Sequence, residues 1–339
     1  MRRRSFLAVA GLGAVGVLAG CGAPTGWRSP ADGPVRAATY IPKSYDDLYP
    51  GVEATLDAVT RAGGPSFDLY DGGTLLGAEQ LLPGLLVGAA DLVFQTSSYV
   101  SSSFPALGAM ELPFGTEDYA RHRRVFDPDG PLVALVNDEL AEKDVRLLGG
   151  MPLTYEYLWT VDRPIRRPED VAGLRMRVAG EIEGETVKAL GGAPVSMGSA
   201  EVFEALQRGT IDGMLSYLGT VVSRDLQSIL RYGTRCHIGS YTFDAYCRAS
   251  WYAALDPRTR AALDAGGRAL YREGTATMVA VHQDDYLPQV VAGGVEIVDP
   301  TPAELAALRA ATEPVRARWE AALGKPAVTG RMAEIVRTA

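Results

Sequence analysis

The alternation of apolar and polar positions predicts strands and helices in turn from residue 35 onward. Residues 35–42 read as a strand, 48–62 as an amphipathic helix, and 65–70 as a second strand closed by Asp71-Gly72-Gly73. A helix over 75–87 and a buried strand over 90–94 follow, and alternation at this spacing argues for parallel strands with helices on their faces. The middle of the chain repeats the theme. Residues 157–161 read as a strand, Pro168-Glu169-Asp170 opens a short helix with a proline and two acids at its positive end, and Gly173 stops it. In the next strand, 174–178, Leu174, Met176 and Val178 share one face and Arg175 and Arg177 the other. Ser199 and Glu201 open a helix with Val202, Phe203, Ala205 and Leu206 as its apolar stripe; Gly209 ends it before a strand over 210–216. Beyond Trp251 the chain turns helical, with one long region over 257–286 and another over 302–323.

The first 21 residues follow a different pattern. Arg2, Arg3 and Arg4 precede an apolar and glycine-rich run over 6–18, too short to cross a bilayer as a stable helix, and the stretch reads as a cleaved export leader. Leu18-Ala19-Gly20-Cys21 matches the bacterial lipoprotein box, in which the Cys21 thiol takes a diacylglycerol and the leader is cut before it. The expected location is therefore extracytoplasmic, with the mature chain anchored to a membrane through lipidated Cys21. Arg3-Arg4-Ser5-Phe6-Leu7 also resembles the twin-arginine export signature. Gly11-Leu12-Gly13-Ala14-Val15-Gly16 fits the dinucleotide-binding pattern, but no strand precedes it and it lies inside the leader, so it is set aside. Residues 22–33, with Pro24, Gly26, Pro30 and Gly33, read as a flexible tether.

Composition narrows the function. Loss of the leader's three arginines takes the formal charge from −8 to −11, an acidic balance that argues against nucleic acid as a partner. The remaining chain, about 320 residues, is long for one core and suits two lobes. Cys236 and Cys247 could form a disulfide if two neighbouring strands bring them together, or could be two buried thiols that never meet.

Sets of catalytic residues are scarce. The three histidines, His122, His237 and His282, are far apart, and neither a nucleophile elbow nor zincin spacing is present. His122, among Arg121, Arg123 and Arg124, reads as part of a solvated helical face, and His237 as a core or capping residue. Arg177 lies at the exit end of an otherwise apolar strand, where open α/β sheets place ligands, and its guanidinium fork fits a carboxylate. From spacing alone a solvated edge arginine is the plainer reading. Tyr40 and Gln95, each near the end of a first-lobe strand, are further candidates for a cleft.

Longer motifs reverse the reading of Arg177. Arg163-Pro164-Ile165, Pro168-Glu169-Asp170 and Gly173-Leu174-Arg175-Met176-Arg177-Val178 stand in sequence, followed by Leu190-Gly191-Gly192-Ala193-Pro194-Val195-Ser196-Met197 and by Glu201-Val202-Phe203-Glu204-Ala205-Leu206-Gln207-Arg208-Gly209-Thr210-Ile211-Asp212-Gly213. This block, with Gly72-Gly73-Thr74-Leu75 and Leu112-Pro113-Phe114 upstream, resembles the solute-binding subunits of TRAP transporters, the DctP-type extracytoplasmic receptors. The resemblance implies a two-lobed α/β fold of the periplasmic-binding-protein type II kind, each lobe a mixed sheet flanked by helices, with a long helix spanning both. Lobe I would hold residues 34–154 and 243–282, and lobe II residues 155–242 and 283–339. It also implies that Arg177 grips a substrate carboxylate, that no cofactor or catalytic step is involved, and that the partners are a small organic acid and TRAP membrane subunits.

The chain departs from the family where Leu215, Ser216 and Tyr217 replace acidic and amide groups, and where Tyr157 stands in place of a second arginine found in some sialic-acid and dicarboxylate receptors. That loss of charge favours a monocarboxylate. The aromatics Tyr155, Tyr157 and Trp159 suggest an apolar or aromatic ligand body; equally, Tyr157 and Trp159 could simply pack a core. An exported enzyme on the same scaffold, or a sensor for a membrane kinase, would share the same cleft.

Overall fold

In the computed structural model, residues 33–116 and 118–338 are described; the leader, Cys21 and the tether up to residue 32 lie outside them. Two sheets form, with their central strands buried on both faces. The first has the order β2-β1-β3-β10-β4, from β1 (Val35–Thr39), β2 (Phe67–Tyr70), β3 (Leu92–Thr96), β4 (Val145–Pro152) and β10 (Thr242–Arg248). The second has the order β11-β9-β5-β8-β6-β7, from β5 (Tyr157–Thr160), β6 (Arg175–Val178), β7 (Ala193–Ser196), β8 (Gly213–Ser216), β9 (Tyr232–Thr234) and β11 (Glu296–Val298).

Strand alternation explains the double burial. In β3, Leu92 and Phe94 enter one apolar cluster and Val93 the other; in the second sheet Trp159 and Met214 face one cluster, Leu158 and Leu215 the opposite one. Both sheets are mixed, so the expectation of parallel strands holds only in part. β10 runs antiparallel to β3 and β4, and β5 runs antiparallel to β8 and β9.

The chain passes between the sheets three times: between Pro152 and Tyr157, between Thr234 and Thr242, and along residues 257–292. These crossings define two lobes and the hinge between them. The 257–292 segment is continuously helical, packing on helix Tyr49–Arg61 in lobe I and meeting helix Leu218–Ser223 of lobe II near its end. It contains two π-helical turns, Leu270–Gly274 and His282–Tyr286. At the second, His282 Nε2 pairs with Asp47 Oδ2 at 2.9 Å and Nδ1 with Thr154 Oγ1 at 3.0 Å, tying the helix to lobe I and to a crossover.

Helix Pro302–Leu323 begins where the sequence places it. Thr301 and Glu304 cap each other, and Gly324 at φ 67° supplies the left-handed turn that ends the helix. This helix touches helix Glu181–Ala189 of lobe II and the 105–110 turn of lobe I, where Trp319 Nε1 donates to the Pro105 carbonyl at 2.7 Å. Among the described residues no helix is long and apolar enough to cross a membrane.

Candidate functional site

Strand ends from both sheets converge on a small cavity of about 10 Å³, room for about one water with the lobes in this position. Lobe I brings Tyr40 from just past β1, Tyr45 from the next loop, Thr96 from the end of β3, and Ser98 and Tyr99 from the turn beyond it. Lobe II brings Arg177 and Ala179 from the end of β6, Ser199, and Tyr217 and Thr220 from beyond β8. Tyr241 joins from the crossover into β10, whose antiparallel direction puts its start at the same sheet edge. This is the crevice at the carboxyl ends of the strands where open α/β sheets hold ligands.

Arg177 is 1% exposed and held from behind. Nε and Nη2 donate to the Met197 carbonyl at 3.1 and 3.0 Å, and Nη2 also donates to the Tyr99 hydroxyl at 3.1 Å; Nη1 takes part in none of these bonds. All of these partners are neutral oxygens. Two buried acids, Glu156 and Glu183, feel the arginine's charge at longer range, and Glu111 neighbours them. Burial pushes Glu111, Glu156 and Glu183 up, Glu183 to about 7, while the Arg177 charge pulls Glu156 and Glu183 back down. Arg175, two residues earlier on β6, instead pairs with Asp212 near the surface, at 2.6 and 3.0 Å.

The lobes are shut over the cavity. Tyr99 of lobe I accepts from Arg177 and, at 3.0 Å, from the Ser199 backbone N–H of lobe II. Arg224 of lobe II donates through Nε to the Tyr45 hydroxyl at 2.8 Å and through Nη2 to Ser199 Oγ at 3.2 Å, with its guanidinium 5.1 Å from the centre of the Tyr45 ring. Gly180 comes so close that a Cβ there would lie 2.0 Å from the Ser98 carbonyl oxygen.

Of the other sequence candidates, the structure brings Tyr40 and Tyr217 to Arg177. Ser216 sits just behind, with its hydroxyl 3.5 Å from that of Tyr241. Gln95 is turned the other way. It donates to the Ala78 carbonyl, because alternation along β3 gives the cavity face to Thr96. Trp159 is fully buried in the lobe II core, donating from Nε1 to the Ser216 carbonyl at 2.9 Å and stacking on Tyr157 at 5.0 Å. Tyr155 and Tyr157 line a separate hinge-side groove of about 350 Å³ with Arg235, His237 and His282. The basis for an apolar ligand body therefore falls away from the Arg177 cavity.

The histidine readings also change. His122 is buried rather than solvated; its Nδ1 pairs with Thr116 Oγ1 at 3.1 Å, and burial lowers it to about 3, so it is neutral. His237 is exposed at φ 50° and stacks on Tyr155 at 4.7 Å. Cys236 and Cys247 are free buried thiols, packed in the cores of different lobes, and form no disulfide. Among the described residues no group of three or more His, Cys, Asp or Glu is placed to hold a metal ion. Sequence reasoning missed Tyr45, Ser98, Tyr99, Ser199, Thr220, Tyr241 and Arg224, most of which sit in turns and crossovers that carry no periodic signal.

Comparison with known proteins gives a consistent picture. A solute-binding protein of Verminephrobacter eiseniae is 26% identical over 259 residues, 75% of each chain. A TRAP periplasmic solute binding protein from Roseobacter denitrificans, solved with bound beta-D-glucuronate, superposes with a TM-score of 0.82 at 19% identity, covering 90% of this chain and 99% of that one. Another from Shewanella oneidensis, solved with bound succinate, gives a TM-score of 0.79 at 19% identity, covering 89% and 99%. At these identities the superpositions establish the two-lobed fold. The family model for "Bacterial extracellular solute-binding protein, family 7" (DctP) matches residues 59–322, and the chain belongs to that family.

Proposed function

We propose that this chain is the extracytoplasmic receptor of a TRAP transporter, closing on a small organic monocarboxylate between its lobes and delivering it to membrane subunits. The observation that carries the reading is Arg177, a buried cation at an inter-lobe cavity whose Nη1 is left over after its bonds to neutral oxygens. The cavity wall includes neither a second arginine nor a lysine, which supports one carboxylate rather than two. The relative solved with beta-D-glucuronate holds a monocarboxylate and the one with succinate does not, so the number of acid groups rests on this chain's own wall. The receptor's work is a population shift from open to closed, driven by contacts to both lobes, with no bond made or broken in the solute.

Arg177→Gln tests the reading. A charge-assisted hydrogen bond contributes about 1.5–3 kcal/mol, so affinity for an acid bound by the wild type should fall roughly 10- to 150-fold in calorimetry while the melting transition survives. Undiminished affinity would refute the role. The lipid anchor is proposed from Leu18-Ala19-Gly20-Cys21. Mass spectrometry of membrane-extracted protein should find diacylglycerol on Cys21, and Cys21→Ser should release the protein from the membrane fraction; an unmodified N-terminus elsewhere would refute it.

A further inference from the structure

The cavity wall has an unusual chemistry. Of its eleven lining residues nine carry a hydroxyl, and the other two are Arg177 and Ala179. Most of these hydroxyls are already engaged. Tyr40 pairs with Thr96 at 3.0 Å, Tyr99 serves Arg177 and Ser199, Tyr45 and Ser199 accept from Arg224, and Tyr241 reaches Ser216. Two remain. Ser98 Oγ and Tyr217 OH are buried without a hydrogen-bond partner, in side chains 1% and 2% exposed.

An unpaired buried hydroxyl costs free energy, so a pair of them facing one cavity marks where a ligand's polar group completes the set. They belong to opposite lobes, Ser98 following β3 and Tyr217 following β8. The Tyr217 ring is fixed edge-on against Tyr241 at 5.8 Å, and burial pushes its phenol well above the usual range, so it stays a neutral donor and acceptor. Neither hydroxyl can neutralise a charge. What they can do is exchange hydrogen bonds with an alcohol.

Resting on the receptor reading above, we infer that the solute is a hydroxylated monocarboxylate: its carboxylate goes to Arg177, and a hydroxyl near the acid group is read jointly by Ser98 and Tyr217. Because one hydroxyl would then touch both lobes, it selects the solute and helps to shut the lobes. An acid without a hydroxyl leaves both groups unpaired in the closed form, which is the stronger basis for discrimination.

The test is calorimetric titration of the full mature chain with matched acids: lactate and glycerate against propionate, and beta-D-glucuronate against cyclohexanecarboxylate. The wild type should favour the hydroxylated member of a pair by roughly tenfold or more, and Tyr217→Phe and Ser98→Ala should each cut that preference by about three- to tenfold. Thermal melts of both variants check that the fold is kept. Equal affinity within every pair, or an equal loss for both members in the variants, overturns the inference. Arg177-dependent binding without hydroxyl preference sinks this inference alone; a wild type that binds no acid sinks the receptor reading and this inference with it.

Discussion

Gly180→Ala separates closure from chemistry. Gly180 has φ −143° and ψ −172°, an extended conformation that alanine adopts freely, so the substitution strains nothing within lobe II. Across the lobe boundary the situation differs. The new Cβ would stand 2.0 Å from the Ser98 carbonyl oxygen and 2.7 Å from its carbon, against a practical minimum of 3.0 Å, so the lobes must part by about 1 Å. The obstructing atoms are backbone, and no rotamer change relieves them. Overpacking of this kind costs about 1–3 kcal/mol, charged here to the closed form alone, which predicts solute affinity weaker by roughly 5- to 150-fold. Calorimetry with an acid that binds the wild type measures the loss, and small-angle scattering measures whether the variant still contracts on saturation. Gly180 precedes helix Glu181–Ala189, so any loss of capping appears in the melting temperature of the ligand-free protein and is read separately. An alanine variant that binds within twofold of the wild type and contracts equally would refute the argument that these lobes meet backbone to backbone.

Two further outcomes follow from the structure. Arg224 bridges Tyr45 of lobe I and Ser199 of its own lobe, so Arg224→Gln should speed solute release by roughly tenfold while leaving the association rate within about threefold, as stopped-flow fluorescence can resolve; a change confined to association would instead make Arg224 a steering charge. Asp244 is fully buried, and burial pushes it up to about 7 despite hydrogen bonds from Tyr246 and Thr242. Between about pH 4 and 7 the native state therefore binds more protons than the unfolded chain, and this group's contribution to stability falls as pH rises. Asp244→Asn should gain on the wild type across that window, by about 2 kcal/mol, in melts at pH 5 and 8; a difference independent of pH would refute it.

Local pattern made part of this legible. The apolar stripes placed most strands of the first half and helix Pro302–Leu323, and the Gly-Leu-Arg-Met-Arg-Val strand set Arg177 where strands end. Face assignment was harder. Gln95 and Thr96 are adjacent, and only the pairing of β3 between β1 and β10 decides which of them meets the cavity. Tyr155, Tyr157 and Trp159 cluster in sequence, yet the β5 pleat and the hinge send them into a core and a separate groove. The residues that enclose the solute space, such as Tyr45, Tyr99 and Tyr241, come from loops distant in sequence, and no periodicity brings them together.

The grip that Met197 exerts on Arg177 has a thermodynamic consequence. Both residues belong to lobe II, so the two bonds to that carbonyl survive when the lobes separate. An arginine side chain gives up about 2 kcal/mol of rotamer freedom when it is immobilised, and here folding has already met that charge. The open receptor thus offers an anion a fork pointed in advance, and encounter need not wait for a side-chain search.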